Sequence, residues 1–219
     1  MVSQLDPALK VAEFLLQIKA IKLSPKDPFT WASGWKSPIY CDNRKTLSYP
    51  AVRTFIRQQF VHIINSEFGR PDMIAGVATG GIAHGALVAH DMGLPFLYVR
   101  SDSKEHGLKN QVEGDLTVGR SVVVVEDLVS TGGSSLKAVQ ALRDAGLEVK
   151  GMVSIFTYGF DTATKSFAEA KVNLQALTNY SVLLDQALRS DYITEKDLGP
   201  LNEWRKDPAN WNAGLKVGG

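Results

Sequence analysis

The stretch Val122–Ser135, VVVVEDLVSTGGSS, decides the fold. Four consecutive β-branched residues show no alternation of apolar and polar, so Val122 to Val125 predicts a strand covered on both faces, as a parallel sheet flanked by helices requires. Glu126 and Asp127 follow directly, then a loop of Ser, Thr and Gly from Ser130 to Ser135 that leads into a helix. Open α/β sheets bind ligands at the carboxyl ends of their strands. A small-residue loop entering a helix offers unpaired N–H groups, with the helix dipole behind them, to a phosphate. Carboxylates beside that cradle would repel phosphate but accept hydrogen bonds from sugar hydroxyls. Phosphate and ribose side by side suggest a ribose 5-phosphate.

Outward from this segment, short apolar runs at Met73–Val77, Pro95–Val99 and Val149–Phe156 predict further strands. Helical patterns fill the gaps at Ile82–Met92 and Ser134–Ala145, the second closed by Gly146 where a left-handed cap is wanted. The fold class is therefore α/β. Towards the N-terminus, Asp6 and Pro7 open a helix whose Val11, Phe14, Leu15 and Ile18 share one face. Phe29–Pro50 is rich in aromatics and turn formers and reads as an ordered loop or small hairpin, and Ala51–Phe68 returns to helical spacing. From Lys171 onward the pattern predicts one strand, Asn173–Leu177, and two helices, the second opened by Thr194 with Asp197 in capping-box spacing.

The chain's 219 residues suffice for one domain with a substantial core and are too few for two full ones. Twenty-four Lys and Arg against 23 Asp and Glu give no global field for wrapping nucleic acid or binding anionic membranes. A single cysteine, Cys41, makes no intrachain disulfide or thiolate-rich metal site, so the cytoplasm is the default expectation. Lys10, Glu13 and Lys19 interrupt the apolar N-terminus, which reads neither as a signal peptide nor as a membrane span.

A second glycine loop, GVATGGIAHG from Gly76 to Gly85, would open at the same sheet edge and supply N–H donors to a second anionic group. Neither glycine loop carries the lysine of a P-loop, and this one lacks dinucleotide-binding GxGxxG spacing. Between the strands ending near Arg100 and beginning near Ser121 lies a polar connection, SDSKEHGLKNQVEGDLTVG, of a length usually associated with function. His84 and His90, six apart on a helix, face different ways and read as structural, and Cys41 reads as a packing residue with no partner base.

The segment VVVVEDLVSTGGS resembles the phosphoribosyl pyrophosphate signature of the type I phosphoribosyltransferases. Two further segments are similar to the branch that acts on orotate: FTWASGWKSPIYCDNR, Phe29–Arg44, like its Ser-Gly-x-x-Ser-Pro loop, and RSDSKEHG, Arg100–Gly107, like its mobile catalytic loop. The resemblance implies one phosphoribosyltransferase domain over residues 1–219, residues 1–50 contributing an N-terminal helix and a base-binding hood. It implies transfer of ribose 5-phosphate from phosphoribosyl pyrophosphate to orotate, giving orotidine 5′-monophosphate and pyrophosphate in pyrimidine synthesis, by a homodimer whose mobile loop reaches the neighbour's site.

Carried over by position, Glu126 and Asp127 would hold the ribose hydroxyls, flanked by Leu128 and Val129. The backbone of Ser130, Thr131, Gly132, Gly133 and Ser134 would hold the 5′-phosphate, with Ser130 also in reach of the base. Arg100, Lys104 and His106 would clamp the pyrophosphate, with Ala78, Thr79, Gly80 and Gly81 lining its other side and Mg²⁺ bridging its oxygens rather than sitting in a dedicated set of protein ligands. Negative charge grows on pyrophosphate as its bond to the sugar breaks, so cations aimed there act mainly in the transition state, and a loop closing over the site would exclude water.

Ser33, Gly34 and Ser37 form the expected orotate grip, and Arg44 either meets the orotate carboxylate or serves the surface or a subunit interface. Residues 36 to 57 carry five cations against Asp42 alone, which suits anionic substrates or a partner subunit. The chain departs from the family where many members have lysines, here Ala32 and Gly80, and where an arginine often contacts the base, here Thr157, Tyr158, Gly159 and Phe160. Two other readings stay open: transfer to another base such as a purine, and a non-catalytic sensor of phosphoribosyl pyrophosphate, although +1 of net charge and no recognisable helix-turn-helix speak against the second.

Overall fold

The computed structural model describes residues 6–31, 34–101 and 111–211. Helix α1 (Pro7–Gln17) begins where the sequence predicts, with Asp6 Oδ1 accepting from the Ala8 N–H at 2.9 Å. Then come four short strands, β1 (Ile21–Leu23), β2 (Phe29–Thr30), β3 (Lys36–Ser37) and β4 (Ile39–Cys41), and a 3₁₀ segment, Asn43–Ser48. The aromatic stretch is thus more ordered than a loop: β1 pairs antiparallel with β4, and β2 with β3. Helix α2 (Pro50–Ile63) ends in a π-turn at Ile64–Phe68.

The central unit follows as β5 (Met73–Val77), α3 (Gly80–Met92), β6 (Phe96–Val99), β7 (Val112–Glu113), β8 (Ser121–Val129), α4 (Gly133–Asp144), β9 (Glu148–Thr157), α5 (Asp161–Glu169), β10 (Leu174–Asn179), α6 (Tyr180–Arg189) and α7 (Glu195–Lys206). The six-stranded sheet has the order β10-β9-β8-β5-β6-β7, parallel throughout except for β7 at one edge. Two elements escape the sequence reading. Helix α5 follows β9 with an amphipathic turn too short to stand out, burying only Ala163 and Phe167, and β7 interrupts the long polar connection with two residues paired to Tyr98 and Val99.

Val122, Val123, Val124 and Val125 are all fully buried, as the uninterrupted run predicts. Their side chains alternate between two cores: Val123 and Val125 join the one containing α1, α2, α3 and α6, while Val122 and Val124 join the one under α4 and α5. The sheet is therefore covered on both faces. Chain order reverses between β5 and β8, because β5 continues through α3 to β6 on one side and β8 through α4 to β9 on the other. The two loops leaving these neighbouring strands diverge, and the crevice between them is where open α/β sheets bind ligands. Among the described residues, no helix is long and apolar enough to cross a membrane.

The N-terminal strands are fastened to this sheet partly through α3. Thr46 Oγ1 donates to the Asn43 carbonyl at 2.6 Å and lies 3.0 Å from His84 Nε2. The hydroxyl's one proton is thereby engaged, so the histidine must donate from Nε2. Burial, helped by the charge of Arg53, lowers the His84 pKa from 6.5 to about 4. An unfolded chain takes up a proton between those two values that the folded chain refuses, so stability present above pH 6.5 is lost as pH falls towards 4. Urea unfolding at pH 7 and pH 5 should show wild type losing about 2 kcal/mol more than His84→Gln, whose amide keeps a donor without titrating; equal losses would contradict a neutral buried imidazole.

Candidate active site

The carboxylates do not follow the strand, as the sequence suggested, but lie within it. β8 runs on to Val129 because β9 accompanies it that far, pairing Glu126 with Ser154, Leu128 with Phe156 and Val129 with Thr157. On the other side, β5 pairs with β8 only as far as Val125 and then turns into the glycine loop. Past that point the main chain of Asp127 is served by side chains: its N–H donates to Glu126 Oε1 at 3.0 Å and its carbonyl accepts from Asn43 Nδ2 at 2.7 Å.

The two acidic residues have different situations. Glu126 is buried, and Ser135, in the first turn of α4, donates to its Oε2 at 3.1 Å. Burial and the adjacent Asp127 charge push its carboxyl well above the usual range. The Asp127 carboxyl is also raised by burial, against the lowering influences of Glu126's hydrogen bond and the charge of Arg44. Of the two, Glu126 is the one that holds a proton more readily, which leaves Asp127 as the charged face of the pair.

Both carboxylates line a cavity of about 390 Å³ together with Cys41, Asp42, Arg44, Ala78, Thr79, Gly80, Leu128 and Ser134. The glycines explain how the two loops come so close. A Cβ on Gly81 would strike the Val125 carbonyl, and one on Gly80 would coincide with the Asp127 carboxylate. No side chain caps α3, which starts at Gly80, or α4, which starts after Gly132 at φ +85°, whereas α1 and α6 are capped by Asp6 and Asn179. Two uncapped N-termini thus face the crevice from its two sides, suited to anions.

A second cavity of about 410 Å³ adjoins the first. It is lined by Thr30, Trp31, Tyr40, Cys41, Leu128, Ser130 and Tyr158, so it shares Cys41 and Leu128 with the acidic cavity. Its walls are mostly aromatic and aliphatic, a flat apolar slot with a few hydroxyls. Trp31 is held there by Nε1 donating to the Ile39 carbonyl at 3.1 Å and by its packing against Tyr158 and Trp204.

A third cavity, about 620 Å³, meets the phosphate loop only at Thr131 and runs between Trp35, α5 and α7. The turn Tyr158–Gly159, where the sequence offers no arginine, receives a guanidinium from elsewhere in the chain. Arg205 of α7 donates to the Tyr158 and Gly159 carbonyls at 3.1 and 3.0 Å.

The remaining expected residues are distributed as follows. Ser130, Ser134 and Ala78 to Gly80 line the cavities, Val129 is buried in the core, and Arg44 lies at the rim with its Nε 2.7 Å from Asp42 Oδ1. Ser37 is not presented to a ligand: it is fully buried and its hydroxyl donates to the Ile39 carbonyl at 2.8 Å while accepting from the Ile39 N–H. Gly34, at φ +85°, forms the exposed tip of the β2–β3 hairpin. Arg100 follows β6 directly and pairs with Glu113 of β7 at 3.3 Å. Ser33, Ala32, Lys104 and His106 lie outside the described residues. The sequence reading missed Asn43 and the slot-lining Trp31 and Tyr40, and it named Tyr158 only as standing where a base-contacting arginine was expected. The one signal for Trp31 and Tyr40 was the density of aromatics in Phe29–Pro50, and which of them face the slot depends on hairpin pairing.

Residues 48–174 match the phosphoribosyl transferase domain family. The chain is 63% identical over 203 residues to the orotate phosphoribosyltransferase of Phocaeicola vulgatus, covering 93% of this chain and 96% of the relative. Identity is also 63%, with the same coverage, to the orotate phosphoribosyltransferase of Bacteroides thetaiotaomicron. The crystal structure of orotate phosphoribosyltransferase from Aeropyrum pernix superposes with a TM-score of 0.72 at 29% identity, over 80% of this chain and 97% of that one.

Since Gly80 and the Asp127 carboxylate compete for one volume, Gly80→Ala should displace the carboxylate while leaving the fold intact. Steady-state kinetics are expected to give a kcat about tenfold lower, with KM for phosphoribosyl pyrophosphate changed less than about threefold and a melting temperature close to wild type. An unchanged kcat would mean that the contact does not set the carboxylate's place.

Proposed function

The chain belongs to the phosphoribosyltransferases, in the branch that acts on orotate, and on that premise we propose how its residues divide the reaction, transfer of ribose 5-phosphate from phosphoribosyl pyrophosphate to orotate. The observation that carries the reading is the pair of adjoining cavities that share Cys41 and Leu128, one acidic and bordered by two helix N-termini, the other flat and apolar. The first suits a charged sugar phosphate and the second a planar pyrimidine, so the bond between base and sugar forms where they meet.

In this reading the 5′-phosphate sits on the backbone from Ser130 to Ser134 at the start of α4, and the pyrophosphate on Ala78 to Gly81 at the start of α3. Asp127 accepts from the ribose hydroxyls, and Glu126, buried and bonded to Ser135, holds the strand's end in place. The bond between C1 and the pyrophosphate oxygen breaks with its electron pair going to pyrophosphate, a ring nitrogen of orotate forms the new bond to C1, and the nitrogen's proton passes to the departing pyrophosphate or to water. Positive charge developing on the sugar is favoured by the nearby Asp127 carboxylate, an electrostatic effect that grows towards the transition state. Arg44, at the cavity rim and mostly exposed, is free to turn from Asp42 towards an incoming anion. Lys104 and His106 are assigned to the leaving group on their resemblance to the family's catalytic loop.

Among the described residues, no cluster of three or more acidic, His or Cys side chains forms a metal site. Mg²⁺ would be held mainly by the substrate's own oxygens and water, with Asp127, the charged member of the pair, beside the anion cradle and no dedicated set of protein ligands. When bound, Mg²⁺ would neutralise charge on the pyrophosphate. A homodimer with shared sites rests on the resemblance of Arg100–Gly107 to the family's catalytic loop.

Loss of orotate absorbance after adding phosphoribosyl pyrophosphate and Mg²⁺ tests the assignment, with adenine, hypoxanthine and uracil run in parallel by pyrophosphate release. Turnover is expected with orotate alone; release with another base only would overturn the orotate slot, and binding without turnover would revive the sensor. Asp127→Asn should lower kcat/KM roughly 100-fold. Sharing of sites is tested by mixing inactive Lys104→Ala and Asp127→Ala chains: restored activity is the expected outcome, and inactivity of verified heterodimers would count against it.

A further inference from the structure

We propose that Asn43 is a positioning residue that sets the place of Asp127 and ties it to the base slot, an inference that rests on the reading of Asp127 given above. Asn43 sits at the start of the 3₁₀ segment after β4 and is 1% exposed. Its side chain and its carbonyl are all engaged. Nδ2 donates to the Asp127 carbonyl at 2.7 Å, Oδ1 lies 3.2 Å from Cys41 Sγ, and its carbonyl accepts from Thr46 Oγ1.

The bond to Asp127 is placed where the sheet has stopped providing one. Pairing of β8 with β5 ends at Val125, so Asp127 belongs to a stretch flanked by β9 alone. A buried carbonyl without a partner is costly, and the strand's end would otherwise be free to shift. The side-chain amide of Asn43 takes the place of the departed strand. Its donor is itself fixed: Cys41 bonds the other end of the amide, and Thr46 fastens the segment to His84 of α3. One short segment therefore touches the strand bearing the carboxylate, the helix after the pyrophosphate loop, and Cys41, which lines both cavities.

The consequence is a coupling between the halves of the site. A base entering the slot meets Cys41 and Tyr40 on β4, and through Asn43 that strand bears on the backbone of Asp127. Asn43 touches no reacting atom in this arrangement, so removing its donor should alter how well Asp127 is aimed rather than how much substrate binds.

Asn43→Asp keeps the side chain's shape and an acceptor for Cys41 but sets an oxygen against the Asp127 carbonyl. The expected result is a fall in kcat of about tenfold or more, with KM for phosphoribosyl pyrophosphate changed less than about threefold. In an Asp127→Asn background the same substitution should have little further effect on kcat, because the two act through one group. If Asn43→Asp is not obtained folded, Asn43→Ser, which retains a shorter donor, should show the same pattern at smaller amplitude. A kcat within twofold of wild type, or a loss that adds in full to that of Asp127→Asn, would overturn the proposal. An Asp127→Asn enzyme as active as wild type would instead remove the reading on which it rests.

Discussion

Beyond Val125, strand β8 has a hydrogen-bonding neighbour on one side only, and that asymmetry organises the chemistry of this chain. β9 holds the strand straight as far as Val129, while β5 leaves the sheet to make the glycine loop. The last residues of β8 are then rigid on one flank and open on the other. A carboxylate on such an overhang is fixed in place yet reachable by a ligand, which neither a fully paired strand nor a loop would allow.

The loops that surround the overhang are shaped by proximity to it. Gly80 and Gly81 carry no side chain because Asp127 and the Val125 carbonyl occupy that space, so the anion-binding ends of α3 and α4 converge on the carboxylate from both sides of the switch point. Helix dipoles at that range attract phosphate, and the negative charge of the Glu126 and Asp127 pair is tempered by burial, which favours a proton on Glu126. Such an arrangement suits anionic phosphates and an acidic group in the same small volume without mutual expulsion.

The N-terminal strands complete the arrangement from a different direction. They supply Trp31, Tyr40 and Cys41 to the apolar slot and Asn43 to the open side of β8, and they are locked to the body by an aromatic cluster in which Trp31, Tyr158 and Trp204 meet. The apolar slot is therefore built from residues distant in sequence, Thr30, Trp31, Tyr40 and Cys41 on one side and Leu128, Ser130 and Tyr158 on the other. Arg205 from the last helix bonds the carbonyls of the turn at Tyr158 and Gly159.

Local pattern in the chain was enough for the parallel sheet, from the unbroken Val122–Val125 run, for most helices, from their spacing and caps, and for the small-residue loop that leads from β8 into α4. These are legible because a strand's burial and a helix's start are dictated by residues that are neighbours along the chain. The polar connection hid β7, and α5 was invisible, since each is defined by a partner elsewhere rather than by its own pattern. Only the tertiary structure decided that Glu126 and Asp127 differ, that the Ser37 hydroxyl is buried on its own backbone, and that Asn43 reaches Asp127 across 84 positions. Such roles follow from which backbone groups a departing strand leaves unpaired and which side chain arrives to satisfy them, and that is settled only when the segments pack together.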